Sequence, residues 1–181
     1  MNLWHDVSLG EKAPEKFNVI VEVPKGSRNK YELDKDTGMI KLDRANYSYA
    51  AYPFEYCFVP QTLWDDGDAI DVVLLSTHPL FPGVLVEVRP VAFMRMIDSG
   101  EDDSKIIAVP TCDKRFDTLQ DLADVNPHNL KEIQHFFETY KALKGDTPDQ
   151  YKVEVPGFEP KAKAMEALNK SMQLYREKFS K

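Results

Sequence analysis

Two clusters of carboxylates are the part of this sequence best suited to chemistry. The first has four aspartates close together in the chain: Asp65, Asp66, Asp68 and Asp71. The second has four acidic residues just beyond an apolar run: Asp98, Glu101, Asp102 and Asp103. Two carboxylates ~4 Å apart repel by ~4 kcal/mol at an effective dielectric constant of ~20, so convergence would require cations. All-oxygen ligands favour Mg²⁺, Mn²⁺ or Ca²⁺ over zinc. The clusters therefore indicate either a divalent-metal site or two solvated acidic turns.

Common metal and phosphate motifs are absent from the sequence. An EF-hand loop started at Asp66 would place Ile70 and Asp71 where that motif needs an oxygen ligand and a glycine. The glycine-rich phosphate loop and the dinucleotide fingerprint do not occur. Cys57 and Cys112 have no second cysteine or histidine at ligand spacing, which argues against a zinc site and a disulfide framework.

Glu22 and a short polar alternation are further candidates for a site. Glu22 lies within the apolar run Val19–Val23, where an unpaired carboxylate is costly to bury, so we expect it to reach a cation, a basic residue or a polar cavity. Alternation along the next strand places Lys30, Glu32 and Asp34 on one face. That face either lines a groove or meets water.

The composition fits one domain of ordinary size. With 181 residues and 43% hydrophobic content, the chain is long enough to bury a core, and we expect a single domain over residues 1–181. Thirty acidic against 23 basic side chains give a formal charge of −7, which argues against a nucleic-acid partner. No stretch approaches the ~20 apolar residues of a membrane span, and the N-terminal segment lacks the apolar core of a signal peptide. We therefore expect a cytoplasmic protein with no membrane contact.

Strand-forming runs dominate the first 110 residues, and helical periodicity follows. Apolar runs rich in β-branched and aromatic residues predict strands at residues 17–23, 52–59, 70–75, 84–97 and 106–109. Asn126 as a cap and Pro127 in the first turn predict a helix start, with apolar helical spacing up to Gly145. A stripe from Met165 to Phe179 predicts another helix. This order predicts an α+β fold, a closed or nearly closed antiparallel barrel with helices packed on the outside.

Together these segments closely resemble the family I soluble inorganic pyrophosphatases. The Asp-Gly-Asp-Pro-x-Asp element of that family reads Asp66-Gly67-Asp68-Ala69-Ile70-Asp71 in this sequence. Seven further segments match in the same order: Val21-Glu22-Val23-Pro24, Lys30-Tyr31-Glu32, Asp43-Arg44, Tyr56, Arg89-Pro90-Val91, Asp98–Lys105 and His135-Phe136-Phe137-Glu138-x-Tyr140-Lys141. Two positions depart from the family pattern, because Ala69 replaces the proline and Cys57 stands where many relatives have glycine. Neither departure removes a candidate ligand.

The resemblance implies a fold, a reaction and a role for each site residue. The fold is a five-stranded OB-type β-barrel with helices on the outside. The reaction is Mg²⁺-dependent hydrolysis of pyrophosphate to two phosphates by a metal-activated water, with three or four Mg²⁺ per site. The implied metal ligands are Asp66, Asp71, Asp98, Asp103, Glu22 and Glu32. The implied proton acceptor is Asp68, the implied phosphate-binding residues are Lys30, Arg44, Tyr56, Tyr140 and Lys141, and Lys105 is implied to pair with the carboxylates. The family also implies a homo-oligomer, a homohexamer if the source is prokaryotic.

Two other functions stay open at this point. A barrel of this type can bind single-stranded nucleic acid by stacking bases on aromatic side chains. The candidates for such stacking are Tyr31, Tyr52, Phe54 and Tyr56. The third possibility is a relative that keeps the fold without the activity. The negative charge of the chain weighs against nucleic-acid binding. The complete set of candidate ligands weighs against a relative without the activity.

Overall fold

A ring of five strands forms the centre of this protein. The computed structural model describes residues 1–147 and 150–179. Within them the strands are β1 (Phe17–Val23), β2 (Asn29–Leu33), β3 (Ile40–Ala45), β4 (Glu55–Phe58), β5 (Asp71–Leu74), β6 (Leu85–Asp98), β7 (Glu101–Asp102), β8 (Lys105–Pro110) and β9 (Val153–Pro160). The helices are α1 (Pro127–Thr139) and α2 (Lys161–Phe179), with short 3-10 helices at Lys114–Phe116 and Leu122–Asp124. Hydrogen-bonded neighbours run β1-β4-β5-β8-β6, and β6 pairs back with β1, which closes the ring.

Apolar cores cover both faces of this sheet. In β5, Val72 and Leu74 pack in a cluster that includes Leu168 of α2, whereas Val73 packs in a cluster that includes Phe137 of α1. Alternate residues of a strand point to opposite faces, so the two clusters lie on opposite faces of β5. A strand that is covered on both faces has a continuous apolar sequence. The predicted α+β fold with helices outside a five-stranded closed sheet is confirmed.

Most of the predicted elements lie close to their observed positions. The strands predicted at residues 17–23, 84–97 and 106–109 correspond to β1, β6 and β8, while the strand predicted at 52–59 is shorter, as β4. The start of α1 is confirmed, because the Asn126 side chain accepts a hydrogen bond from the His128 N–H and Pro127 is the first helical residue. The helix ends at Thr139, and the predicted continuation to Gly145 forms turns instead.

Two features of the sheet differ from the expectation. The ring is not purely antiparallel, because β5 and β8 pair in parallel. The chain from β5 to β8 includes the long strand β6, and a connection of that length can return in the same direction. The unpredicted strand β9 contains Pro156 and Gly157, which disfavour a central strand, but it lies outside the ring and pairs with β6.

A separate hairpin stands beside the ring. Strands β2 and β3 form their own two-stranded sheet, joined by a turn at residues 34–39. Its β2 strand lies against β1.

In the part of the chain that is described, no helix combines the length and the apolar character that a membrane span requires. The single-domain assignment stays a prediction.

Candidate active site

A cavity of about 600 Å³ collects most of the predicted site residues. Its lining includes eleven of them: Glu22, Lys30, Glu32, Tyr56, Asp66, Asp68, Asp71, Asp98, Asp103, Tyr140 and Lys141. The ring supplies Glu22, Tyr56, Asp71 and Asp98, and the β2–β3 hairpin supplies Lys30 and Glu32. The rest come from loops and the residues after α1. The fold therefore brings segments that are far apart in the sequence to one site.

Carboxylates outnumber cations along this lining. Ten acidic side chains and four lysines face the cavity. Carboxylates that share a partly buried site repel one another and raise one another's pKa unless cations compensate them. The site therefore has an oxygen-rich donor set and a deficit of positive charge, which fits hard divalent cations such as Mg²⁺.

Glu22 is a buried carboxyl group of the cavity with a strongly perturbed pKa. It is 7% exposed, and its Oε1 accepts a hydrogen bond from the Leu33 N–H at 2.7 Å. Burial, followed by the charge of Asp71, raises the pKa of Glu22 to about 8. The expectation that this side chain reaches a polar cavity agrees with its position, and its backbone donor comes from the hairpin.

Lys105 lies beneath the cavity floor and links two carboxylates. Its side chain is 1% exposed, and its ammonium lies 2.8 Å from both Oδ2 of Asp71 and Oδ1 of Asp103. Burial alone would lower the pKa of Lys105, but the charges of Asp103 and Asp71 outweigh burial and raise that pKa. Burial also raises the pKa of Asp103, and Lys105 partly offsets the rise. The Tyr56 hydroxyl donates to Asp71 as well, so Asp71 is held from two sides.

Each acidic cluster divides between the cavity and its surroundings. Asp66 lines the cavity. Burial, followed by the charge of Asp71, raises the pKa of Asp66. The Asp68 N–H donates a hydrogen bond to Asp66 at 2.9 Å, which offsets part of that rise. The adjacent Asp65 instead pairs with Lys170 of α2 at 2.6 Å. In the second cluster, Glu101 and Asp102 are exposed, whereas Asp98 and Asp103 line the cavity. Part of each acidic cluster therefore faces the cavity, and part lies outside it.

Lysines neutralise several of the cavity carboxylates. Lys141 pairs with Asp98, and Lys30 pairs with Glu32. Among residues 1–147 and 150–179, no group of three or more Asp, Glu, His or Cys side chains is arranged as a ready-made metal cluster. The predicted metal ligands thus share one cavity, and several of their oxygens contact ammonium groups.

Arg44 and Tyr140 present polar groups near the cavity. Arg44 does not belong to the cavity lining; it pairs with Lys30 across the hairpin and contacts Asp43. Its Nε is buried with no hydrogen-bond partner in the described part of the chain, so it retains a donor that an anion could satisfy. Tyr140 is 7% exposed, and burial followed by the charge of Asp98 raises the pKa of its phenol, which stays a neutral donor.

Several cavity residues were not predicted as part of the site. They are Trp4, Leu33, Asp34, Lys35, Asp36, Lys41, Asp43, Tyr52, Phe58, Ala69 and Phe137. Five of them are charged residues of the hairpin and its turn. Of these five, the sequence pattern considers only Asp34, on a face that lines a groove or meets water. The available signal was the alternation of Lys41 and Asp43, which continues the polar face begun in β2.

The ring of strands and its acid- and lysine-lined cavity define an OB-like protein with a site suited to cations and a compact anion. A sequence profile of the inorganic pyrophosphatase family matches residues 19–176. The inorganic pyrophosphatase of Haloferax volcanii is 46% identical over 180 residues, which are 99% of each chain. Soluble inorganic pyrophosphatase 1 of Arabidopsis thaliana is 47% identical over 174 residues, covering 96% of this chain and 80% of that protein. The crystal structure of inorganic pyrophosphatase from Thermus thermophilus matches with a TM-score of 0.93 at 45% identity, covering 97% of this chain and 99% of that one.

This chain belongs to the inorganic pyrophosphatase family, whose activity is the hydrolysis of pyrophosphate.

The structure also weighs against base stacking on the barrel face. Tyr52, Phe54 and Tyr56 are 2%, 1% and 8% exposed, so their rings belong to the core rather than to an open platform. The enzymatic interpretation is the one that the family supports.

Proposed function

We propose that this chain hydrolyses pyrophosphate to two phosphates with Mg²⁺ in the cavity beside the β2–β3 hairpin. The observation that carries the proposal is the excess of carboxylates over lysines on the cavity lining. A tetra-anionic substrate would be repelled from such a site without additional cations. Bound Mg²⁺ would neutralise charge on the carboxylates and the substrate and would lower the pKa of water.

The proposed metal ligands are the acidic residues that face the cavity. They are Asp66, Asp71, Asp98, Asp103, Glu22 and Glu32. Their donors are all carboxylate oxygens, the ligand type that Mg²⁺ prefers. Three or four Mg²⁺ per site is the number that we propose from the family resemblance.

The remaining site residues would handle the proton and the phosphates. The family resemblance gives Asp68 the role of accepting a proton from the attacking water, and its side chain faces the cavity and is 55% exposed. The donors for phosphate are Lys30, Arg44, Tyr56, Tyr140 and Lys141. Arg44 contributes its unpartnered Nε, and Tyr140 contributes a neutral hydroxyl. Lys105 stays beneath them and holds Asp71 and Asp103 in place.

Two Asp→Asn substitutions test this division of roles. Asp68→Asn removes the proton acceptor, so we expect turnover to fall by roughly 10² to 10⁴ at saturating Mg²⁺, the usual effect of losing a general base. Mg²⁺ affinity, measured by calorimetry, should change little. Asp71→Asn should instead weaken Mg²⁺ binding and regain part of its turnover at high Mg²⁺.

Asp65→Asn is the matched control, because Asp65 lies in the same loop but pairs with Lys170 outside the cavity. Its turnover and Mg²⁺ affinity should be close to those of the native protein. Near-native turnover of Asp68→Asn at saturating Mg²⁺ would contradict the role of Asp68. Rescue of Asp68→Asn, but not of Asp71→Asn, by Mg²⁺ would show that the two roles are reversed.

We further propose a cytoplasmic homo-oligomer, with a homohexamer as the assembly. The family resemblance carries this proposal. Large apolar side chains on the outside of the single chain agree with it, because Phe81 is 71% exposed and Leu85 is 52% exposed. Side chains of this kind commonly lie at contacts between subunits.

A further inference from the structure

Lys35 contacts the carboxylate that we propose as the proton acceptor. Its ammonium forms an ion pair with Oδ1 of Asp68. It lies in the turn between β2 and β3, outside the segments that carried the family resemblance. The other cavity lysines have different partners: Lys30 contacts Glu32, Lys141 contacts Asp98, and Lys41 lies 3.6 Å from Asp34.

A fixed aromatic ring supports the same ammonium. Lys35 Nζ lies 5.7 Å from the centre of the Trp4 ring, which is within the range of a cation–π contact. Trp4 is 5% exposed, and its Nε1 donates to the carbonyl oxygen of Thr62 at 2.8 Å. The ring therefore has a defined orientation, and Lys35 lies between this ring and Asp68.

The backbone of Asp68 is fixed, whereas its side chain needs a partner to set its direction. The Asp68 carbonyl oxygen accepts from the Trp64 N–H at 2.6 Å, and the Asp68 N–H donates to Asp66. The Asp68 side chain is 55% exposed, and Lys35 is its ion-pair partner. A group that must accept a proton from one water is sensitive to small changes of direction.

We propose that Lys35 is a positioning residue for Asp68. Lys35, supported by Trp4, holds the Asp68 carboxylate in the direction from which it takes the proton of the attacking water. This inference rests on the proposed role of Asp68. Because both side chains of the pair are more than half exposed, loss of Lys35 should leave the fold intact, so its effect can be measured in turnover.

A double-mutant cycle tests the inference, with kcat and KM measured separately. Lys35→Met should lower kcat about threefold to tenfold and leave KM within about twofold, because the lost pair is an exposed one. Lys35→Arg keeps the charge and should restore most of kcat. In the Asp68→Asn background, Lys35→Met should have almost no further effect. Lys163→Met is the control, because Lys163 is a similarly exposed lysine that pairs with Glu166 on α2.

The contact itself can be tested without turnover. A carbodiimide joins an amine to a carboxylate that touches it, so treatment of the metal-free protein should give an amide between Lys35 and Asp68, found by mass spectrometry of the digest. Lys35→Arg should give no such product, and absence of the product from the native protein would overturn the contact.

The kinetic outcomes separate the two proposals. An equal loss of kcat from Lys35→Met with and without Asp68→Asn, or a change in KM alone, would overturn the positioning role while the role of Asp68 stands. Near-native turnover of Asp68→Asn alone would overturn the role of Asp68 and the positioning role with it.

Discussion

The Lys105 ammonium lies 2.8 Å from Oδ2 of Asp71, and the same ammonium contacts Asp103 on its other side. One buried cation therefore joins the first residue of β5 to the segment just before β8. Without it, two partly buried carboxylates would face each other with no compensating charge.

Lys105→Met should destabilise the metal-free protein. We expect a loss of about 2–4 kcal/mol in the free energy of unfolding at pH 8. This is somewhat less than the usual cost of breaking a buried pair, because the carboxylates are partly exposed. Saturating Mg²⁺ should recover part of this loss. Urea unfolding with chelator and with Mg²⁺ measures both values. An unchanged free energy of unfolding in chelator would show that the contacts of Lys105 with Asp71 and Asp103 do not stabilise the metal-free protein.

Glu22 should make the stability of the metal-free protein fall as pH rises. Its pKa is raised from 4.5 to about 8 in the folded protein, so between these values the folded state binds a proton that the unfolded state lacks. Stability from this group is therefore lost progressively from pH 4.5 and fully lost above pH 8.

Comparison with Glu22→Gln isolates this effect. Glutamine resembles the protonated carboxyl group and does not ionise, so Glu22→Gln should gain stability relative to the native protein as pH rises, by on the order of a few kcal/mol. Urea unfolding in chelator at pH 5, 7 and 9 measures the difference. A difference that is the same at all three pH values would show that Glu22 does not have a raised pKa.

Tyr56→Phe should separate stability from activity. The hydroxyl donates to Asp71, while the ring packs in the core with centroids 6.0 Å from Tyr52 and 6.3 Å from Phe137. Burial, followed by the charge of Asp71, raises the pKa of Tyr56, so the hydroxyl stays protonated at neutral pH. Phenylalanine keeps the packing, and unfolding free energy should fall by only about 1 kcal/mol.

Turnover of Tyr56→Phe should fall more than this stability change would suggest, because Asp71 and the phosphates lose a donor. Steady-state kinetics and urea unfolding measure the two effects. Tyr49→Phe is the control, since Tyr49 is 84% exposed and does not line the cavity. Equal turnover of the two variants would remove Tyr56 from the proposed site.

Light scattering should give the mass of an assembly rather than the 20.8 kDa of one chain. We expect six times the chain mass at micromolar concentration, as the family resemblance implies for a prokaryotic source. Burial of exposed apolar side chains such as Phe81 and Leu85 between subunits would favour an assembly. A monomeric mass would contradict the proposed assembly.

Local patterns predicted much of the fold because they act over short stretches of the chain. The Asn126 cap and Pro127 predict the start of α1, and continuous apolar runs predict β1 and β6. The parallel pairing of β5 with β8 and the position of β9 depend on contacts between distant segments, which periodicity does not report.

The site shows the same division between local and distant information. Asp65 and Asp66 are adjacent acidic residues, yet Asp66 faces the cavity and Asp65 pairs with Lys170 from α2. Gly67, which has a φ of 89°, permits the tight turn that follows these two residues. Lys35 resembles any charged residue of an exposed turn until the hairpin is placed over the cavity.

Phosphate release from pyrophosphate is the measurement that tests the proposed function most directly. We expect rapid release with Mg²⁺, none in excess EDTA, and much slower hydrolysis of ATP under the same conditions, because the site supplies too little positive charge for the substrate on its own. Ca²⁺ should inhibit, because it tolerates looser geometry in oxygen-ligand sites. Robust release in excess EDTA would contradict the metal requirement, and equal hydrolysis of ATP and pyrophosphate would contradict the substrate.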